Sequence, residues 1–388
     1  MRKGGVIRLI GWGGGLCVAL AAIAGGVWFF GAGSKAAQFG LYEQAAKTWS
    51  AAGRPSAATA ETFRATVCAA TPCVLVEAGG LAFVVGAGDG AAAGLARLGL
   101  LRPDLDGVVL TDINLVSIGG LADIRHDTWR AGRKTPLPVF GPPGIERVVD
   151  GVNSMLLASD ILEAKTVTGP PLSPDGAPLA VGRSQGSEGV AGTVVFDSGV
   201  VAIRSFPVAE QPSSWVYRFD FNNQSLIVAG CGARQGDILA AARGASQANA
   251  ILPAASEKML EIDRAAASRA RAGVPRELAP PGGQACLSHE DAIAALRDAR
   301  LSGGLLAPLY PPAVGPAAVR TWRELVTAPP GLSVAAGEAG DSLNLSGDKP
   351  VIESLRRGGA AMASKAAANQ PIEPASNEKS GPVKPGGP

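Results

Sequence analysis

Histidine is almost missing from this chain: only His126 and His289 occur in 388 residues. That count excludes a centre that holds two metal ions mainly through imidazole nitrogens, because each ion needs several such ligands. Aromatic residues make up 5%, charged residues 18%, and the net charge is only +2. No basic stripe stands out, so a surface that coats nucleic acid is not expected. Hydrophobic residues make up 47%, beside 52 Gly and 29 Pro. That is enough apolar mass for one large core or two modest ones in a loop-rich α/β protein.

Charge is absent altogether from Leu9 to Gly33. About 25 residues of this kind are enough to cross a ~30 Å hydrocarbon layer. Arg2, Lys3 and Arg8 precede the run, and Trp12 and Trp28-Phe-Phe30 stand near its ends, as interfacial aromatics do. The expectation is a single-pass inner-membrane anchor at residues 1–33, with the positive flank inside and the rest of the chain in the periplasm. The alternative is a signal peptide cleaved near Gly31-Ala-Gly-Ser34, leaving a secreted protein. Residues 34–61 read as a helical stalk, 62–345 as the folded domain, and 346–388, rich in Pro, Gly, Lys and Glu, as a disordered tail.

Cysteine is scarce but suggestively spaced. Cys17 lies inside the apolar run, and Cys68 and Cys73 flank Ala-Ala-Thr-Pro between two apolar strand-like runs. Across a hairpin in an oxidising compartment that pair either bonds or stays as two buried thiols. Strands are expected at 62–68, 73–78, 81–85, 108–111 and 138–140, with helices at 90–98, 119–130 and 145–157. A second block of strands at 193–196, 200–206, 214–221, 225–228 and 248–252 precedes helices at 257–271 and 290–299 and a last strand at 304–309. Two strand blocks, each followed by helices, point to two sheets covered by helices on both outer sides. The run Gly86-Ala-Gly-Asp-Gly90 lacks the following Lys of a phosphate loop and reads as a tight turn.

The junction Thr111-Asp-Ile-Asn-Leu-Val-Ser-Ile-Gly-Gly-Leu121 resembles the metallo-β-lactamase superfamily's Thr-His-x-His-x-Asp-His-x-x-Gly-Leu loop, with every ligand replaced. Trp129-Arg-Ala-Gly-Arg133, followed by Pro136-Leu-Pro-Val-Phe-Gly-Pro-Pro-Gly144, is similar to the signature of the branch that holds ribonuclease Z and arylsulfatase-like enzymes. Tyr217-Arg-Phe-Asp220, Ser225-Leu-Ile-Val-Ala-Gly-Cys-Gly232, Leu287-Ser-His-Glu-Asp-Ala292 and Leu305-Leu-Ala-Pro308 match further segments in the same order. The resemblance covers roughly 62–345 and implies a four-layer αββα sandwich behind the N-terminal transmembrane helix.

Carried over position by position, the resemblance places the metal ligands at Asp112, Asn114, Val116, Ser117, Val208, Cys231 and Pro308. Gly86 stands for an aspartate on an early strand, and Cys286 for a supporting histidine. The family uses zinc, whereas this donor set implies no cofactor, no metal and no catalytic residue. Asp112, Asn114 and Ser117 offer hard oxygens, but one carboxylate is too few for calcium. A Cys231 nucleophile would need His289 as its base, and His289 is expected on an exposed helical turn. The family geometry would also point Cys231 and Cys286 into one cleft, either bonded or as separate thiols. A pseudoenzyme follows, membrane-tethered through residues 9–33, which binds or scaffolds an envelope partner or an active paralogue through a cleft lined by Val116, Val208, Pro308 and Cys231. The alternative is a metal-dependent hydrolase of phosphodiester or ester bonds with an atypical site.

Overall fold

A computed structural model describes residues 58–182, 192–255, 286–307 and 316–354. The expected anchor, most of the stalk, the helix at 257–271, Pro308 and the tail beyond 354 lie outside the described residues.

Alternation builds the first sheet. In β1 (Phe63–Val67), β2 (Val74–Ala78) and β3 (Leu81–Val85), residues such as Phe63, Val76 and Phe83 face one side while Leu75 and Val84 face the other. Tight connections make these three antiparallel neighbours. Helix α1 (Ala91–Arg97) then forces a crossover, so β4 (Gly107–Val109), β5 (Leu137–Phe140) and β6 (Leu179–Val181) follow in parallel. The crossovers carry α2 (Leu115–Ile118), α3 (Leu121–Arg130) and α4 (Ile145–Thr166). The opposite edge is closed late in the chain by β15 (Asp341–Asn344) and β16 (Val351–Ser354).

The second sheet repeats the plan. β7 (Thr193–Asp197), β8 (Val201–Val208), β9 (Gln211–Phe221) and β10 (Gln224–Val228) form an antiparallel meander. β11 (Ala248–Ala255), β13 (Gly303–Ala307) and β14 (Ser333–Ala336) continue in parallel, and the short β12 (Leu287–Ser288) pairs with β11. Helices α5 (Gln235–Ala242), α6 (His289–Asp298) and α7 (Pro316–Leu325) belong to this half.

Three cores separate the layers. Phe63, Phe83, Tyr217, Phe219 and Leu305 meet between the sheets. Leu95, Leu121, Ile124 and Ile145 cover the first sheet, while Ile238, Leu296 and Trp322 cover the second. This is a mixed α/β sandwich of two sheets with helices outside both.

Several sequence expectations need correction. Residues 351–354 join the first sheet through β15, so the folded part runs past 345 and the tail expected from 346 starts no earlier than 355. α4 continues nine residues beyond the predicted end at 157, and β6 falls inside a stretch that reads as Pro/Gly-rich loop. Among the described residues, no helix is long and apolar enough to cross a membrane.

Candidate functional site

Three segments converge where the first loop leaves β4. Trp215 donates its amide to the Thr111 carbonyl at 2.7 Å, and Asp112 bridges to Ser214, which ties the loop to β9. The end of β10 comes equally close. A Cβ added at Gly230 would sit 2.5 Å from the Thr111 hydroxyl and 3.4 Å from Asp112 Oδ2, so only glycine allows the approach. Behind them the Tyr217 hydroxyl donates to the Leu110 carbonyl at 3.1 Å. Burial, and then the charge of Asp112, push the Tyr217 phenol well above its ordinary pKa, so it stays a neutral donor.

Asp112 is buried, and its oxygens are spent inside the loop. Oδ1 accepts from the Asn114 amide at 2.9 Å; Oδ2 accepts from the Ser117 hydroxyl at 2.8 Å and the Thr111 hydroxyl at 3.3 Å. The carboxylate therefore acts as a local turn clamp. The neighbouring 86–90 turn is likewise closed: Gly86, Ala87 and Gly88 donate their amides to the carbonyls of Val109, Ser117 and Pro72, each at 2.8 Å. Those donors are not free to cradle an anion.

Cys231 follows directly on Gly230 and is bonded to Cys286, just before β12, with Cα atoms 4.2 Å apart. Cys68 and Cys73 are bonded across the β1–β2 turn, Cα to Cα 5.3 Å. A disulfide sulfur has no thiolate to offer, so the Cys231 nucleophile is unavailable in this state. His289 is buried rather than exposed, 9% accessible, with its ring 6.3 Å from that of Trp322 and Nδ1 2.9 Å from Glu290 Oε2. The ring is covered by Trp322 of α7, while Glu290 and Asp291 in the same first turn stay exposed.

Of the expected apolar cleft, Val116, Val208 and Cys231 lie among the described residues and Pro308 does not. Val208 packs with Phe206, Val216 and Ile238 in the core under the outer helices, on the face opposite the inter-sheet core. Alternation along β8 already held that answer, since Val201 and Ile203 point inward and Phe206 and Val208 outward. Val116 is half-buried on α2. The structure thus brings together Asp112, Asn114, Ser117 and the turn that carries Cys231, while Val208 joins the core that also takes Ala229 and Ala233 on either side of that turn.

Some residues missed by sequence reading hold this region in place. Asp237, at the start of α5, is buried and accepts from the amides of Ala209 at 3.1 Å and Arg234 at 2.7 Å. An acidic residue three positions beyond Arg234, at the head of a helix, is the signal that pointed to it. His126 spans α3 and α4, with Nε2 2.5 Å from Glu163 and Nδ1 3.1 Å from Asp127. Burial opposes its charge, but Glu163 and then Asp127 outweigh that and raise its pKa.

Ribonuclease Z of Mycobacterium marinum is 31% identical over 169 residues, 42% of this chain and 56% of that protein. Ribonuclease Z of Mycobacterium avium is 28% identical over 229 residues, 53% of this chain and 77% of that protein. In sequence the chain is thus similar to ribonuclease Z proteins, the branch of the metallo-β-lactamase superfamily that its motifs resemble. It spans a little over half the length of the first of these relatives. No protein-family model matches it. Among solved structures, the metallo-β-lactamase fold protein YhfI from Bacillus subtilis aligns over 71% of this chain and 98% of its own, at 11% identity and a TM-score of 0.44.

The superfamily implies zinc, and the residues at the converging loops do not fit it. Asp112 gives its oxygens to Thr111, Asn114 and Ser117, Cys231 is bonded to Cys286, and Val116 and Val208 carry no lone pair. Zinc takes about four nitrogen, sulfur or carboxylate ligands. Among the described residues, no three His, Cys, Asp or Glu side chains come together as a metal cage.

Proposed function

We propose that this chain is a membrane-anchored pseudoenzyme, a binding or scaffolding protein that keeps the metallo-β-lactamase scaffold without its metal chemistry. The observation that carries this reading is the Cys231–Cys286 bond at the end of β10, where the resemblance puts a metal-bridging aspartate. Water bound to a metal gains its reactivity from the ion, and the donors next to that bond are spent on one another. The uncharged run at residues 9–33 supports an inner-membrane anchor with the domain in the periplasm, a compartment that sustains disulfides. The partner is an envelope protein or an active paralogue, with no nucleic acid and no cofactor.

A metal-dependent hydrolase of phosphodiester or ester bonds is the second reading, favoured by the name ribonuclease Z on its relatives. Zinc, iron and manganese content of the purified full chain separates the two. The pseudoenzyme reading expects metal far below one equivalent, no turnover of a phosphodiester substrate, and a thermal midpoint unchanged by EDTA. Stoichiometric metal with turnover that EDTA abolishes would sink it and establish the hydrolase.

A further inference from the structure

Helix α4 is amphipathic in two opposite senses along its length. Its first half buries Ile145 and Val149 against the first sheet, with Val148 and Val152 packed beside them. In its second half, acids turn inward instead. Asp160 is buried in a fork with Arg125, and Glu163 pairs with His126 and Arg130. The apolar residues turn outward: Met155, Leu157, Ile161 and Leu162 are each more than half exposed. The other exposed positions from 154 to 166 are Ser154, Ala158, Ser159, Ala164, Lys165 and Thr166, so Lys165 is the only charge on this surface. A helix in water normally shows its charges and hides its leucines, and a contiguous exposed apolar patch marks a contact surface.

We infer that this outer face of α4, from Met155 to Lys165, docks on a lipid bilayer surface. Four large side chains fall well short of the ~20–30 residues that each partner contributes to a stable protein interface. A bilayer needs no shape match and takes an apolar helical face at the boundary of headgroups and acyl chains. Between 154 and 166 no exposed acid opposes an anionic leaflet, the exposed Asp150 standing seven residues before Leu157, and Lys165 sits where its ammonium can reach the headgroups. The inference rests on the anchoring reading in one respect: a domain tethered by residues 9–33 meets the membrane at high effective concentration, so a small patch suffices.

Nitroxide labels on the full chain in phosphatidylethanolamine/phosphatidylglycerol vesicles test both ideas separately. One label goes on Cys17 itself. The others go on Leu157→Cys, Ile161→Cys and, as an aqueous control, Val200→Cys, each with Cys17→Ser. Labels at 157 and 161 should collide more with oxygen than with an aqueous nickel chelate, and the label at 200 should show the reverse. If Cys17 is shielded from nickel but 157 and 161 are not, the docking face is overturned and the anchor stands. If 157 and 161 are shielded while Cys17 is not, docking holds and the anchor reading falls. Nickel access at all positions removes both. Dipolar broadening between labels of different copies at 157 and 161 would assign the face to a second copy and overturn the inference.

Discussion

Two segments of the first half of the chain carry the family resemblance, and they are built differently. In Trp129–Arg133, the two end residues are packing elements while the three between them are exposed. The Trp129 indole is buried and donates to the Ser173 carbonyl at 2.7 Å. Arg133 is buried and donates to Thr128, Arg125 and Thr135. Burial, and then the nearby charge of Arg125, lower its pKa to about 10, so it is still a cation at neutral pH. In Thr111–Ser117, by contrast, the one carboxylate does no more than close its own turn. The first segment keeps the signature residues because they hold α3 to the 173–178 stretch. The second segment is closed by its own side chains, Asp112 accepting from the Asn114 amide and the Ser117 hydroxyl. Scaffold and chemistry are separable, and a match to the scaffold says little about the reaction.

That contrast can be broken by mutation. The largest effect is expected for Trp129→Ala, which removes a fully buried ring and one of the two hydrogen bonds to the Ser173 carbonyl, the other coming from the Gly176 amide; it should cost about 3–5 kcal/mol in urea denaturation. A loss below about 1 kcal/mol would mean that the signature is not a packing element. Replacing Cys231 and Cys286 together by serine should cost about 2–4 kcal/mol, since the bond closes a long loop. Equal stability of the oxidised protein and the double variant would remove the disulfide as a clamp.

Asp112→Asn keeps the shape and gives up charge-assisted hydrogen bonds, so the expected cost is about 1–2 kcal/mol, with metal content unaffected. A much larger loss that added zinc reverses would show the loop to be an ion site after all. The smallest effect concerns His126, where a partly exposed pair is screened by solvent. Its folded pKa is raised, so its stabilisation is fully present below the unfolded value of ~6.5 and fades as pH rises through the folded value. His126→Gln should therefore lower the thermal midpoint more at about pH 5.5 than at about pH 9; the reverse order would contradict the pairing with Glu163.

Where the sequence pattern was regular, it was read well. Apolar runs between Pro and Gly-Gly turns mark the three strands at 63–67, 74–78 and 81–85, and the run 86–90 is the turn it reads as. Short edge strands were missed: β6 and β16 have three and four residues, too few for a period to show. The end of α4 was missed because its apolar period reverses face after Val152.

By itself the sequence determined that the chain has only two imidazoles to offer any site. It also determined two blocks of strands, from apolar runs set between Gly and Pro turns. Only the tertiary structure decided that Cys231 meets Cys286 across a sequence separation of 55, that Asp112 is consumed by its own loop, and that α4 turns its leucines to solvent. Each of those facts depends on which groups from distant segments come within a few ångströms. Local pattern fixes which way a side chain points along its own element, while the partner it meets is set by how the sheets and helices pack.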